Sequence, residues 1–210
     1  MRHQKARREE RARLLIEQAE ALGAPPEDPL LLLSVLYSVW AANFVAFNGD
    51  AMRRLSAQFL TLATKQKATG PLAIGHRLLA TSLLHTGDIA VSRAHYDQAI
   101  ALYEPVEHRP IAIRFGQVDI GVMILSYRSL ALWVLGYPEA ALADTERALM
   151  DAREISHAGT LMYALFHVSL PISGVEITRQ QTRSSMNLSL WQTRREAHFG
   201  RLLECCPKVA

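Results

Sequence analysis

Apolar residues recur three and four positions apart through most of this chain, which is the spacing of one face of an α-helix. Strand signals are nearly absent before residue 170. Three segments each combine two such helical patterns around a short turn with a glycine, at Gly49, Gly87 and Gly136. The pattern predicts an all-α domain of about three helical hairpins.

The turn at Gly136 shows how one hairpin is expected to reverse its direction. Gly136 can adopt the left-handed conformation that ends a helix, and Pro138 suits the first turn of the next helix because no N–H is needed there. Glu139 then lies where the helix dipole favours a negative charge. Asp50 and Asp88 directly follow the other two glycines, so we predict that they are N-caps.

The second helix of each hairpin carries an apolar stripe. In the second hairpin its members are Ile89, Tyr96, Ala99, Ile100 and Tyr103, and in the third they are Ala141, Thr145, Ala148 and Ala152, beside Leu142 and Leu149. One hairpin alone cannot bury such a stripe, but stacked hairpins can. We therefore predict a right-handed helical-hairpin solenoid in which Phe47, Tyr96 and Leu149 are buried.

The spacing of these positions resembles that of a tetratricopeptide repeat. In the second hairpin, the residues that fall at the motif's positions or within one residue of them are Leu79-Ala80, Leu83, Gly87-Asp88, Tyr96, Ala99-Ile100 and Pro105. The third matches at Gly136, Ala141 and Ala148-Leu149, and the first keeps Ala42 and Gly49. The turn glycines lie 38 and 49 residues apart, against about 34 in the usual repeat. The repeats are therefore divergent, with an insertion at 106–119.

A closer resemblance covers roughly residues 10–168. Its residues are His108-Arg109, Phe115-Gly116-Gln117, Asp119, Ser126-Tyr127, Leu132-Trp133 and Gly136-Tyr137-Pro138. They are similar to the repeat region of large bacterial signalling proteins, in which a class III adenylate or guanylate cyclase domain and an AAA/STAND-type ATPase precede such repeats. The resemblance implies a protein–protein interaction module, and we expect it to be a truncated fragment of a longer array. No cyclase metal carboxylate or complete Walker motif can be carried over, so it implies no catalysis by this chain.

Charge divides the chain into three parts. Residues 1–28 read as a charged N-terminal helix and linker, residues 29–168 as the repeat domain, and residues 169–210 as an anomalous basic tail. The net charge of +3 comes from this tail, because the repeat domain is neutral. A neutral body argues against nucleic-acid binding. We interpret the tail as a frame-altered or degraded end.

Localisation follows from two further features. The chain has no secretory signal, and its two cysteines are the neighbours Cys205 and Cys206, which favours the cytoplasm. Leu30–Phe47 lacks charged residues over 18 positions, however, so a membrane-associated protein spanning at 30–47 is an alternative. A buried helix is favoured, because Ser34, Ser38 and Ala42 would let another helix approach closely.

Candidate chemical motifs are incomplete. Gly70–Arg77 has phosphate-loop glycine spacing but lacks the Lys-Ser/Thr pair, so an inter-repeat turn is predicted. His85, Asp88 and His95 lack a metal-ligand spacing, and we predict no metal or cofactor. We expect three other side-chain pairs to lie at the surface without a catalytic role: His108-Arg109, Glu9-Glu10 and Asp144/Glu146.

The repeat positions instead predict a binding groove on the first helix of each hairpin. Its residues are Asn43, Phe47, Arg77, Thr81, His85, Ser126, Leu130 and Trp133. This mixture suits a peptide or a neighbouring domain. The leading hypothesis is a non-enzymatic interaction module, stabilised by a partner or by self-association. The alternative is a component of a cyclase or ATPase system whose catalytic domains lie elsewhere.

Overall fold

A computed structural model describes residues 30–167, and this part of the chain contains only helices and connecting turns. The helices are α1 (Leu31–Val45), α2 (Gly49–Gln66), α3 (Thr69–His85), α4 (Ile89–Leu102), the short α5 (Pro105–His108), a 3₁₀ helix (Pro110–Arg114), α6 (Ile120–Val134), α7 (Pro138–Ile155) and a segment at 158–167. The all-α prediction is therefore confirmed. The predicted N-terminal helix at 1–28 and the tail at 169–210 lie outside the described residues.

Each long helix packs against the next long helix in the chain. The contacts run from α1 to α2, then to α3, α4, α6 and α7, and α3 also touches α6. The predicted hairpins are thus the pairs α1/α2, α3/α4 and α6/α7. The first helices of the second and third hairpins are direct neighbours.

The alanine stripe of α7 is buried as predicted. Ala141, Ala148 and Ala152 have no exposed surface, and Thr145 is 1% exposed. Ala148 and Ala152 share an apolar cluster with two residues of α6, Val122 and Leu125, and with Ala164 of the 158–167 segment. The stripe is therefore covered by the helices on either side of α7.

Of the three side chains expected to be buried, Tyr96 is fully buried and Leu149 is partly buried. The prediction that Phe47 is buried is wrong, because its side chain is 87% exposed. It lies in the turn after α1 with a φ of 53°, a left-handed conformation that directs the chain into α2. Asn48 follows at once and caps α2, and its Oδ1 accepts a hydrogen bond from the Ala51 N–H. The prediction that Asp50 is the N-cap of α2 is therefore wrong, and Asp50 lies in the first turn of this helix.

Gly49 also has a different role from the one predicted. It lies in the first turn of α2 rather than at the left-handed position. A Cβ added to Gly49 would be 2.7 Å from Cγ2 of Thr86. Glycine at this position therefore allows the first hairpin to approach the turn of the second.

The other two glycine turns form as predicted. Gly87 and Gly136 have φ values of 96° and 84°. Pro138 begins α7, and Glu139 lies in its first turn. Asp88 occupies the N-cap position of α4, but its side chain makes no capping hydrogen bond. Its carboxylate instead accepts a hydrogen bond from Arg53 on α2, which ties the first hairpin to the second.

The stretch Gly70–Arg77 is not a turn. It lies within α3, and the chain turns earlier, at Lys67, which has a φ of 56°. Gly75 is needed there because α2 crosses closely, and an added Cβ would be 3.1 Å from the Cα of Leu60. The glycines that resemble a phosphate loop therefore serve helix packing.

The small residues of α1 at 34, 38 and 42 were expected to face another helix, but they do not form its buried side. Ser38 and Ala42 are exposed, whereas the buried side of α1 consists of Leu33, Leu36, Trp40 and Asn43. The Ser34 and Ser38 hydroxyls donate to carbonyl groups of their own helix. No helix within residues 30–167 combines the length and the apolar character needed to cross a bilayer.

The insertion folds back onto the second hairpin. His108 was expected in an exposed loop but is 4% exposed, because its ring contacts the start of α3. Its Nε2 lies 3.0 Å from Oγ1 of Thr69, and its Nδ1 accepts from the Glu104 N–H. Arg109 is half-exposed and pairs with Asp119, whose carboxylate also caps α6.

Asp144 was expected on a solvated surface, but it is only 7% exposed. Arg128 of α6 donates to it through Nε and Nη2, each at 2.7 Å. The third guanidinium nitrogen, Nη1, lies 3.0 Å from a carboxylate oxygen of Asp97 on α4. One cation therefore connects the second hairpin to both helices of the third.

We expect Asp144→Asn to lower the free energy of unfolding by about 3 kcal/mol, because it leaves part of a half-buried guanidinium unpaired. Urea unfolding followed by circular dichroism measures this change. The matched control is Asp151→Asn, which breaks the exposed Arg147–Asp151 pair and should cost about 0.5 kcal/mol or less. Equal losses in the two variants would contradict a role for Arg128 in joining the hairpins.

Candidate binding face

Aromatic side chains from successive first helices form a row. His85 of α3 meets Phe44 of α1 at a ring-centroid distance of 5.0 Å and Tyr127 of α6 at 5.8 Å. Tyr127 in turn lies 4.7 Å from the ring of His167 and 6.4 Å from that of Tyr163. With two further rings of α1, this row is called the aromatic face, and its members are Tyr37, Trp40, Phe44, His85, Tyr127, Tyr163 and His167. Trp40, Tyr127 and His167 are buried, and His85 is exposed.

Arg77 of α3 lies beneath this face and is 2% exposed. Its guanidinium carbon is 5.7 Å from the ring centroid of Tyr37 and 5.9 Å from that of Trp40, which is cation–π distance. Its Nε and Nη2 atoms are buried without a hydrogen-bond partner. Buried polar atoms normally have partners, so this guanidinium is the least satisfied group of the face.

The tyrosines around Arg77 do not supply a countercharge. Burial raises the pKa of Tyr96, of Tyr127 and of Tyr163, and the positive charge of Arg77 only partly opposes this rise. All three phenols are therefore neutral at physiological pH. The Tyr96 hydroxyl is engaged with the Thr81 hydroxyl at 2.9 Å. Within residues 30–167, no carboxylate pairs with Arg77.

The predicted groove residues do not lie together on one surface. Asn43, Thr81 and Ser126 are interior rather than surface residues, each at 1% exposure or less. Asn43 donates to the Val39 carbonyl and accepts from Asn48, so its role is to hold the end of α1. Phe47 lies outside the aromatic face, in its exposed turn.

Among the remaining predicted residues, the structure brings Arg77 and His85 together with the aromatic rings. Leu130 is partly buried against the main core, and Trp133 is half-buried in the last turn of α6. Sequence reasoning missed Tyr37, Trp40 and Phe44. Their helical spacing was a usable signal, because it places three rings on one side of α1.

His76 and His95 form a separate pair between α3 and α4. Their Nδ1 atoms are 3.0 Å apart and their rings are stacked at 5.2 Å. Burial lowers the pKa of both, and the charge of His95 lowers that of His76 further. Among the described residues, no three His, Cys, Asp or Glu side chains are arranged to hold a metal ion.

A cavity of about 350 Å³ lies beside the insertion. It is lined by Arg109, Ala112, Ile113, Gln117, Asp119, Ile155, His157 and Thr160. Two polar residues of its wall are engaged in hydrogen bonds: Asp119 accepts from the hydroxyl of Tyr103, and Thr160 accepts from the Asp119 N–H. These contacts hold the end of the insertion against α4 and the 158–167 segment, and the polar side chains they use are already satisfied.

No protein-family model and no curated protein sequence matches this chain. Its function is therefore inferred from the geometry of the aromatic face and from the resemblance of its repeats.

The histidine pair predicts a loss of stability in acid. The folded pKa of both groups lies below the unfolded value of about 6.5, so the unfolded chain binds more protons and stability falls as the pH drops through that value. The fall ends below the folded pKa. Thermal unfolding between pH 7.5 and 5 should show it.

The double variant His76→Gln/His95→Gln should have a shallower pH dependence than the unchanged protein, with His108 and His167 left as residual contributors because burial lowers their pKa as well. An unaltered pH profile in the double variant would contradict the assignment.

Proposed function

We propose that this chain is a non-enzymatic protein–protein interaction module, built as a right-handed stack of divergent tetratricopeptide-like hairpins. The sequential packing of α1 to α7 supports the stack. So does the coverage of the α7 stripe by α6 on one side and the 158–167 segment on the other. Units that contact only their neighbours form the extended surfaces that such modules use for binding.

The observation that carries the proposal is the row of rings across the first helices of the three hairpins and the 158–167 segment. Phe44, His85, Tyr127 and His167 each come from a different helix, and neighbouring rings lie 4.7–5.8 Å apart. His85 is exposed and Phe44 is partly buried, whereas Tyr127 and His167 are 8% and 6% exposed. Aromatic residues with a polar edge are enriched at protein interfaces, because they combine contact area with hydrogen bonding. The face suits an extended peptide or a loop of a neighbouring domain.

The signalling context is proposed from the repeat resemblance. In that context the module binds a partner of a cyclase-type or ATPase-type system, and any catalysis belongs to other domains. The partner is a protein segment, because the described polar clusters are engaged in holding helices together.

A peptide-display selection against the full 210-residue chain tests the proposal. Selected peptides should lose at least about tenfold in affinity for His85→Glu, which places a charge in the centre of the aromatic face. The matched control is Ala94→Glu, at an exposed position of α4 in the same hairpin. Circular dichroism of both variants checks that they are folded.

The outcome that contradicts the proposal is a selection that enriches no peptide, or one whose peptides bind His85→Glu and Ala94→Glu equally well. Either result would mean that the aromatic face is not the binding surface.

A further inference from the structure

We propose that His76 of α3 and His95 of α4 form a binding site for a divalent first-row transition metal, and that Ni²⁺ and Cu²⁺ fit it best. Both imidazoles coordinate the ion through Nδ1. The sequence predicted no metal site, because it offered His95 only with His85 and Asp88, whereas the fold brings His95 to His76. The site is independent of the proposed peptide binding, since neither histidine of the pair belongs to the aromatic face.

The distance between the two Nδ1 atoms is the first observation, and it is 3.0 Å. Imidazole nitrogens bind a metal ion at about 2.1 Å, so two of them in neighbouring positions of a square-planar or octahedral ion are about 3.0 Å apart. In a tetrahedral ion, bonds of the same length place them about 3.4 Å apart. The spacing therefore favours Ni²⁺ or Cu²⁺, which accept square-planar geometry, over Zn²⁺.

The hydrogen bond within the pair is the second observation. It requires one Nδ1 that carries a proton and one that presents a lone pair. On metal binding, the donating ring moves its proton from Nδ1 to Nε2 by exchange with solvent. Both Nδ1 lone pairs then bond to the ion in place of two of its water ligands. The imidazoles stay neutral and no net proton is released, so the ion replaces the shared proton as the link between the rings.

The surroundings of the pair keep it in the form that binds metals. Burial lowers the pKa of His76 and of His95, so both are neutral above pH 7, and a metal ligand must be unprotonated. No lysine or arginine of the described residues contributes to either shift, so no fixed positive charge opposes a cation there. The Gln98 side chain hydrogen-bonds to His95, a contact of the kind that orients a ligating imidazole.

The backbones that carry the pair are held together by buried polar contacts. Ser92, one turn before His95, donates to the Ala80 carbonyl of α3 at 2.7 Å. The hydroxyls of Tyr96 and Thr81 lie 2.9 Å apart, and both residues are fully buried. Ligands on packed helices are positioned more precisely than ligands on loops. The two imidazoles are therefore held in place before an ion arrives.

The site is open to solvent on its remaining side. His76 and His95 are both half-buried. Within residues 30–167, no third His, Cys, Asp or Glu side chain is placed to complete the coordination. Water therefore occupies the other positions, which makes this an exchangeable site rather than a closed structural centre. A bound ion links α3 to α4 and stabilises the second hairpin.

Thermal unfolding of the full chain without an affinity tag tests the proposal at pH 7.5, with and without about 1 mM Ni²⁺, Zn²⁺ or Mg²⁺. His76→Gln and His95→Gln are measured singly and together. The matched control is His85→Gln, which removes an exposed imidazole from the same helix as His76. The other histidines and the two cysteines are present in the variants of the pair, so their difference from the unchanged protein reports the pair itself.

We expect Ni²⁺ to raise the melting temperature by about 3 °C or more, because an ion that binds only the folded site stabilises the folded state. Zn²⁺ should have a smaller effect, and Mg²⁺, which prefers oxygen ligands, should have none. Each single variant should lose most of the Ni²⁺ effect, since one imidazole cannot chelate the ion. The double variant should lose all of it, and His85→Gln should keep it.

The inference is overturned if Ni²⁺ leaves the melting temperature unchanged, or if its effect persists in the double variant. A larger effect of Zn²⁺ than of Ni²⁺ would contradict the assigned geometry. Should the double variant not fold, NMR of labelled histidines in the unchanged protein decides: the Nδ1 signals of His76 and His95 must shift together as Zn²⁺ is added, and unshifted signals reject the site. Each of these outcomes leaves the proposed function standing.

Discussion

Close approach of neighbouring helices is the constraint on which this structure depends, and small residues stand where the helices cross. Gly75 of α3 lies against the backbone of α2 at Leu60. Ser92 of α4 is fully buried, and its hydroxyl donates to the Ala80 carbonyl of α3 at 2.7 Å. Ala148 of α7 is likewise a small buried residue, and it packs against Val122 and Leu125 of α6. A larger side chain at such a crossing would separate the helices and remove many weak contacts at once.

The aromatic face is a consequence of this packing. Because α3 and α6 are direct neighbours, side chains that are far apart in sequence meet as one row. The same packing encloses Arg77 and removes it from water without giving it a carboxylate. The hydrogen bonding of the interior is therefore satisfied at Arg128 and incomplete at Arg77.

Local chemistry could be predicted from the sequence, and long-range partners could not. The turn at Gly136 depends on backbone conformation within a few residues, and the stripe around Ala148 depends on helical periodicity, so both were predictable. Asp144 and His108 were misplaced because their partners lie in other helices. Phe47 was misplaced because a cap formed by the residue after it decided the direction of the turn.

The most direct test of the packing claim compares two alanine-to-leucine substitutions in α7. Ala148 is fully buried at the crossing with α6, and Ala143 is exposed, while leucine has nearly the helix propensity of alanine at either position. The measurement is the free energy of unfolding in urea. The account predicts that Ala148→Leu costs about 1–3 kcal/mol or more from overpacking and that Ala143→Leu stays within about 0.5 kcal/mol of the unchanged protein. Equal values for the two variants would contradict it.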